Sequence, residues 1–564
     1  MKERQRRVDA IRRVSTPVEN HLIDEYAAGK ISRRDFIRRG TVIGMGFPLL
    51  GVLASCASPD ATTTTGAGTT TTTAAGTTST TAVAGPITVR NGLVAPAGAI
   101  DPVTVADEGG LAVLGQSGEY LAFSDSNLEL RPVLAESWSP NDDGSVWTFS
   151  LRQGVLFQDG TEMKAADVVA SIEGVIGGNA ASAFYRALSP GATTATDDYT
   201  VTFELDRPVG SFPYLVSSDN YNAVILPAAW WAGYGEGVYE QTFPGTGAWK
   251  LEAFEQGVSV SYTKNPDYWD VGRVIPDRIE HVFFAEEAAA VTAYLGGEVD
   301  MLGNFSVASG QALLTDANTV VTELRAAPHR QVHLATDVEP FTDKRVRQAM
   351  ALTLNRADIL AGLFNGKADL GNDHPMAPVF PSSDLTVPQR EANVEQARQL
   401  LADAGLPDGF TVQLSGWNGF EMPTLAQLVQ TAAAEIGVTV ELNITDAGTY
   451  YNDFWLSGSP MGITDYGHRG VPNVYINYAL RSDGGWNAAH FNSSAFDSAV
   501  DTFVGALDLD SQRAAAKTVE EILLDETPLI LPYFYYHLTA AKSNLSGWEV
   551  SAMGHVRLEG ATLS

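Results

Sequence analysis

A mixed α/β fold divided into two or three lobes is what this sequence predicts, and three observations carry the prediction. About 480 of the 564 residues follow position 85, well beyond the 250–300 or so at which one hydrophobic core stops growing. Several short segments alternate apolar and polar residues, the period of half-buried strands. Others place apolar residues at helical spacing and stop at glycine.

In chain order, an export label comes first. Ser32-Arg33-Arg34-Asp35-Phe36-Ile37 precedes an apolar run from Thr41 to Leu53, which closes on Leu53-Ala54-Ser55-Cys56. Paired arginines followed by Phe and Ile resemble a bacterial twin-arginine signal; the alternative is the basic flank of an ordinary secretory signal. The apolar run is too short to span a bilayer and contains Pro48. Leu-Ala-Ser-Cys looks like a lipobox, where the chain is cut before a lipid-modified cysteine. Residues 1–56 are therefore expected to be a signal segment ending at lipidated Cys56. As the only cysteine, Cys56 leaves no internal disulfide and no cysteine-built metal site.

Ala57 to Gly85 is almost entirely Thr, Ala, Gly and Ser, with no large apolar group to bury. Residues 57–85 are expected to be a disordered tether. As a flexible coil it spans roughly 30 Å on average and roughly 100 Å when stretched. Charge divides at the same place. Residues 1–40 hold 11 basic and 6 acidic residues, which leaves 25 basic and 61 acidic in the remainder. A basic leader suits a cytoplasmic start, and the acidic body repels nucleic-acid phosphates, so no nucleic-acid partner is expected.

Within the body, Trp147, Phe149 and Leu151 alternate with polar residues after the Asp143-Gly144 turn, which predicts a strand. Tyr199, Val201, Phe203 and Leu205 repeat the pattern after Asp197-Asp198. Val394, Ala397, Leu400, Leu401 and Ala404 lie at helical spacing and stop at Gly405. Thr411–Leu414 reads as a strand, 424–436 as a helix ending at Gly437, and 438–444 as the next strand.

Four ordered blocks then become recognisable. The first runs from Leu134-Ala135-Glu136-Ser137-Trp138 through Asp142-Asp143-Gly144, Leu151-Arg152-Gln153-Gly154-Val155 and Phe157-Gln158-Asp159-Gly160-Thr161 to Ala166-Asp167-Val168-Val169. The second is Gly245-Thr246-Gly247-Ala248-Trp249-Lys250 with Asn265-Pro266-Asp267-Tyr268-Trp269. Leu295-Gly296-Gly297-Glu298-Val299-Asp300 is the third, and Arg345-Val346-Arg347-Gln348-Ala349-Met350 with Asn355-Arg356 the fourth. Together they resemble the extracellular solute-binding proteins, family 5, which take dipeptides, oligopeptides or nickel and serve ABC importers. Four positions depart from the family pattern: Lys164 replaces a helix-capping Thr, Ala248-Trp249 replaces Pro-Tyr, and Asn355 replaces Asp. Lys164 is expected to weaken its helix start.

The resemblance implies an α/β, two-lobed periplasmic-binding-protein-like fold of type II, in the large oligopeptide-binding class, with an extra subdomain. Lobe 1 would take 86–333, including the subdomain at about 132–235, with a C-terminal return at 531–564. Lobe 2 would take 334–530. The chain would cross between lobes near 333–336 and 530–533, forming a hinge with the ligand enclosed between the lobes. The family also implies export, a peptide or other small-molecule ligand, an ABC permease with its ATPase subunits as partners, a monomeric state, and membrane attachment through Cys56.

Candidate ligand contacts follow from the same likeness. Asp465 before Tyr466 matches the residue that holds a peptide's α-amino group in relatives. A carboxylate in a closed cleft needs such a cation to offset its desolvation. His468 and Arg469 follow where relatives have other residues. Arg469 either pairs with Asp465 or holds a carboxylate itself. Trp417 and Asn418 end a strand at a loop that faces the cleft in the family, with Trp417 as an aromatic wall or a core residue. Gly118, Glu119 and Tyr120 align with a Tyr-Glu-Gly stretch in the first lobe, and Arg330 and Trp486 complete the set. No catalytic residue is assigned: there is no Gly-x-Ser-x-Gly elbow, phosphate loop or His-Glu-x-x-His. No metal or cofactor is expected either; His329 and His333 would share one face of a strand without further ligands. The rival functions are a receptor for a metal chelate or sugar, an exported hydrolase, and a surface sensor without a transporter.

Overall fold

The computed structural model describes residues 86–98, 100–234, 243–456 and 458–564. The expected signal segment, Cys56 and the tether lie outside the described residues. The segments read from periodicity form where expected. Val146–Leu151 is a strand with Trp147, Phe149 and Leu151 buried, and Thr200–Glu204 pairs with it, burying Val201 and Phe203. Val394–Asp403 and Met422–Ala434 are helices. Gly405 and Gly437 follow them at φ +85° and +79°, a region that favours glycine. At Lys164 the helix start is supported from the other end of the turn: the Asp167 carboxylate accepts from the Lys164 N–H at 2.8 Å.

Two seven-stranded sheets organise the body. The first-lobe sheet runs Thr319–Leu324, His537–Lys542, Met301–Leu302, Thr88–Val94, Arg278–Phe284, Ser259–Lys264, Trp249–Glu255. In the second, Ala368–Leu370, Tyr533–Tyr535, His329–Leu334, Met461–Tyr466, Thr411–Trp417 and Thr439–Thr445 follow one another, with Leu529–Ile530 paired to His329–Leu334. Thr411–Trp417 lies parallel to both Met461–Tyr466 and Thr439–Thr445. Helix Met422–Ala434 supplies the long crossover that parallel neighbours need.

The crossings fall elsewhere than expected. The chain leaves the first sheet at Leu324 and enters the second at His329, so residues 325–328 make the first passage rather than 333–336. It leaves the second sheet at Tyr535 and rejoins the first at His537, so Tyr536 makes the second passage rather than 530–533. All six residues of His329–Leu334 are buried, so no alternation marks the lobe to which this strand belongs.

One carboxylate braces both passages. Asp369 accepts two hydrogen bonds from the Arg325 guanidinium, at 2.9 and 2.8 Å, and one from the Tyr536 hydroxyl at 3.1 Å. The extra subdomain is a four-stranded antiparallel sheet, Ala135–Pro140, Val146–Leu151, Thr200–Glu204, Thr193–Asp197. Its buried face does not stay with the first lobe. Phe149, Phe203 and Phe212 belong to one apolar core with Tyr475, Phe496, Phe503 and Leu523 of the second lobe. Gly210 N–H to Val504 O at 2.8 Å and Arg207 to Asp501 at 2.6 Å join the same faces.

A buried charge cluster anchors the second lobe. Asp373, fully buried, receives Arg356 at 2.7 Å, Arg390 at 2.8 Å and the Leu531 N–H at 3.0 Å. Removing the acid leaves two guanidinium groups facing each other in a poorly solvated site. Asp373→Ala is expected to destabilise the protein by about 3–5 kcal/mol in urea unfolding; a loss below about 1 kcal/mol would refute the role.

Candidate functional site

The carboxyl ends of the second lobe's parallel strands bring the main candidates together. In open α/β sheets this is where ligand crevices form, because strand ends and helix starts leave a gap there. Asp465 stands near the end of Met461–Tyr466, half-buried. One of its oxygens accepts from the Trp417 indole N–H at 3.2 Å and from the Tyr451 hydroxyl at 2.5 Å. Both donors are neutral. Burial and the Asp465 charge raise the Tyr451 pKa, so the phenol keeps its proton and donates. The carboxylate is thus oriented without being neutralised.

Arg330 sits opposite Asp465 in the sheet register, yet its guanidinium turns to another acid. It meets Glu421 at 3.0 Å, donates to the Tyr535 hydroxyl at 3.0 Å, and lies 4.8 Å from the Tyr535 ring. Glu421 also accepts from the Tyr533 hydroxyl at 2.8 Å. Only 2% of Arg330 is exposed, so it positions the Trp417–Glu421 loop instead of reaching a ligand.

A chain of aromatic rings leads away from Tyr451, which donates to the carboxylate. Tyr466 stacks on His329 at 5.3 Å, and Trp486 lies 6.4 Å from Tyr466 and 6.1 Å from Trp455. Trp455 in turn meets Tyr451 at 5.2 Å. Asp465, Trp417 and Tyr451 meet directly, Tyr466 turns to the other face of the strand and into the core with Trp486 against it, and exposed Asn418 continues the loop beyond Trp417. A carboxylate beside an indole and a phenol suits a small solute with a cationic end and an apolar body.

Residues 129–487 match the bacterial extracellular solute-binding proteins, family 5 Middle. The chain belongs to that family. Among the relatives of this solute-binding protein is the periplasmic oligopeptide-binding protein OppA of Escherichia coli, 28% identical over 462 residues, 74% of this chain and 81% of that one. The glutathione-binding protein GsiB of Escherichia coli is 28% identical over 471 residues, 80% of this chain and 89% of that one. Among solved structures, DppA of Helicobacter pylori in complex with the peptide STSA superposes with a TM-score of 0.70 at 21% identity, over 85% of this chain and 98% of that one. The two-lobed fold of the periplasmic binding proteins is thereby established.

Several expected contacts of the solute-binding protein turn inward. Glu119 accepts from Thr246, Tyr268 and Trp269 at 2.9, 2.9 and 3.0 Å, which ties two loops of the first lobe. Burial raises its pKa against those donors. Tyr120 donates to Tyr221 O at 3.1 Å, and Gly118 closes the helix Glu108–Ser117. The carbonyls of Glu119 and Tyr120 accept from Ile225 and Leu134. The Gly118-Glu119-Tyr120 stretch is therefore internal scaffolding, because these family-like residues serve the first lobe's own loops.

His468 is also structural. Its Nδ1 accepts from the Ala327 N–H at 3.0 Å, inside the first passage between sheets. Burial, with Arg469 and His537 nearby, drives its pKa down to about 3, so it is neutral. Arg469 does not pair with Asp465. It donates to His468 O at 2.7 Å and lies 5.8 Å from the Tyr221 ring of the first lobe.

The site also holds residues that sequence reasoning passed over: Tyr451, Glu421, Phe420 and Asp219. Phe420 and Glu421 follow Trp417 in the same loop, after Asn418 and Gly419, so the same loop signal pointed at them; Tyr451 and Asp219 had no local signal. Asp219, of the first lobe, is 6% exposed, and one of its oxygens has no hydrogen-bond partner among the described residues. That oxygen faces the second lobe at Gly470, where an added Cβ would lie 1.8 Å away, so only glycine admits the approach. Burial pushes the Asp219 carboxyl up to about 7, against the Ser124 hydroxyl and the Arg469 guanidinium.

Because the folded pKa is raised from 3.8 to about 7, this group favours folding below about pH 4, and the benefit is lost as pH rises through 7. Relative to Asp219→Asn, the wild type is expected to lose up to about 4 kcal/mol between pH 4 and 8 in urea unfolding. A difference that stays flat with pH would show that Asp219 is solvated.

Proposed function

We propose that the protein is exported, lipidated at Cys56 and held at the outer face of the cytoplasmic membrane. There it captures a peptide or similar amine-bearing solute between its lobes and delivers it to an ABC permease. One observation carries the reading: Asp465, aimed by the neutral donors of Trp417 and Tyr451, forms no ion pair among the described residues, while Arg330 pairs with Glu421. An α-amino group completes that arrangement with a charge-assisted hydrogen bond. The names of OppA and GsiB, which bind oligopeptides and glutathione, support a solute of this class. Arg469, with its guanidinium between the lobes, is suited to the solute's carboxylate. Micromolar capture requires about 8 kcal/mol of net binding energy, within reach of two charged contacts and an aromatic wall. Ligand would favour the closed arrangement through its contacts with both lobes.

Asp465→Ala is expected to weaken peptide binding at least tenfold in calorimetry, about 1.4 kcal/mol; unchanged affinity would remove the amine-anchor role. Cys56→Ser is expected to move the protein from the membrane fraction to the soluble one. If that variant still sediments with membranes, the lipid anchor is wrong.

A further inference from the structure

Beside the anchor, Phe420 is a large apolar side chain left 70% open to solvent. Its backbone lies at φ +50°, a left-handed conformation that L side chains rarely adopt. Both neighbours hold the strained turn in place. Gly419 lies beneath the Trp417 ring, where an added Cβ would come within 1.8 Å of a ring carbon. Glu421 is tied to Arg330 and to Tyr533. The result lifts the Phe420 ring over the Arg330 guanidinium at 4.7 Å and edge-on to Trp417 at 5.4 Å.

An exposed phenyl ring on strained backbone is unfavourable twice over unless something covers it. Trp417 indicates what does. Its indole N–H donates to Asp465 and its ring meets Phe420, so the anchor and the phenyl ring flank the same indole. A group held by its amine at Asp465 would carry its first side chain along that indole.

We propose that Phe420 and Trp417 form the specificity wall for the ligand's first side chain, so that the protein prefers solutes with an apolar group next to the amine held by Asp465. The proposal rests on the peptide reading of the site and names its preferred substrates.

Calorimetry with Phe-Ala, Leu-Ala, Gly-Ala and Glu-Ala tests it. The wild type is expected to bind Phe-Ala and Leu-Ala at least tenfold more tightly than Gly-Ala, the scale of apolar-pocket discrimination. Phe420→Gly should bring that ratio within about twofold. It should not lower the melting temperature, because glycine accepts the left-handed turn without strain. Phe420→Leu should keep most of the preference. A Phe420→Gly variant that melts earlier and keeps the full ratio would show a packing role and overturn the proposal. Equal wild-type affinity for all four dipeptides sinks the proposal alone and leaves the amine anchor standing. If none of the four binds, the peptide reading itself fails and the proposal fails with it.

Discussion

The molecule depends on a narrow waist. Residues 325–328 and Tyr536 pass between the two sheets, and Asp369 takes hydrogen bonds from both passages through Arg325 and Tyr536. Two strands held by one carboxylate permit rotation between lobes while keeping the passages in register with each other. His468 adds a further tie by accepting from Ala327. The loop that carries His468 and Arg469 is therefore tied to the first passage between the sheets.

The candidate site is supported by charges that pair within the fold. Arg330, Glu421, Tyr533 and Tyr535 make a buried network whose gain in stability is small once desolvation is counted. Its structural consequence is larger: it holds the loop of Trp417 and Phe420 and directs the Arg330 guanidinium to Glu421. A binding carboxylate must be kept unpaired to be useful, and the network does this by giving the nearest buried cation another partner. The first lobe shows the same economy, with Glu119 joining its loops through three neutral donors.

Local pattern was legible wherever one face of an element was buried and the other solvated. Val146–Leu151, Thr200–Glu204 and Val394–Asp403 read correctly because burial alternates along them with the period of their geometry. His329–Leu334 was placed in the wrong lobe because burial on both faces erases that signal. Of the candidates drawn from family likeness, Asp465 and Trp417 meet each other. Glu119, Arg330 and His468 came from the same likeness, but residue type cannot distinguish a side chain aimed at a ligand from one aimed at its own fold. Asp219 lies far in sequence from Gly470, and Tyr451 reaches Asp465 only across the turn between a helix and a strand, so no local pattern announces them.

What the sequence determined by itself was the α/β class and the ordered family blocks, both of which depend on short-range pattern. Tertiary structure alone decided which charges are free: Arg330 is neutralised by Glu421, Arg469 faces the first lobe, and Asp465 is left with neutral donors. The extra subdomain's allegiance was settled the same way, through its shared core with the second lobe. The physical reason is common to both. Pairing and burial depend on distances between residues remote in the chain, and those distances exist only once the lobes are assembled.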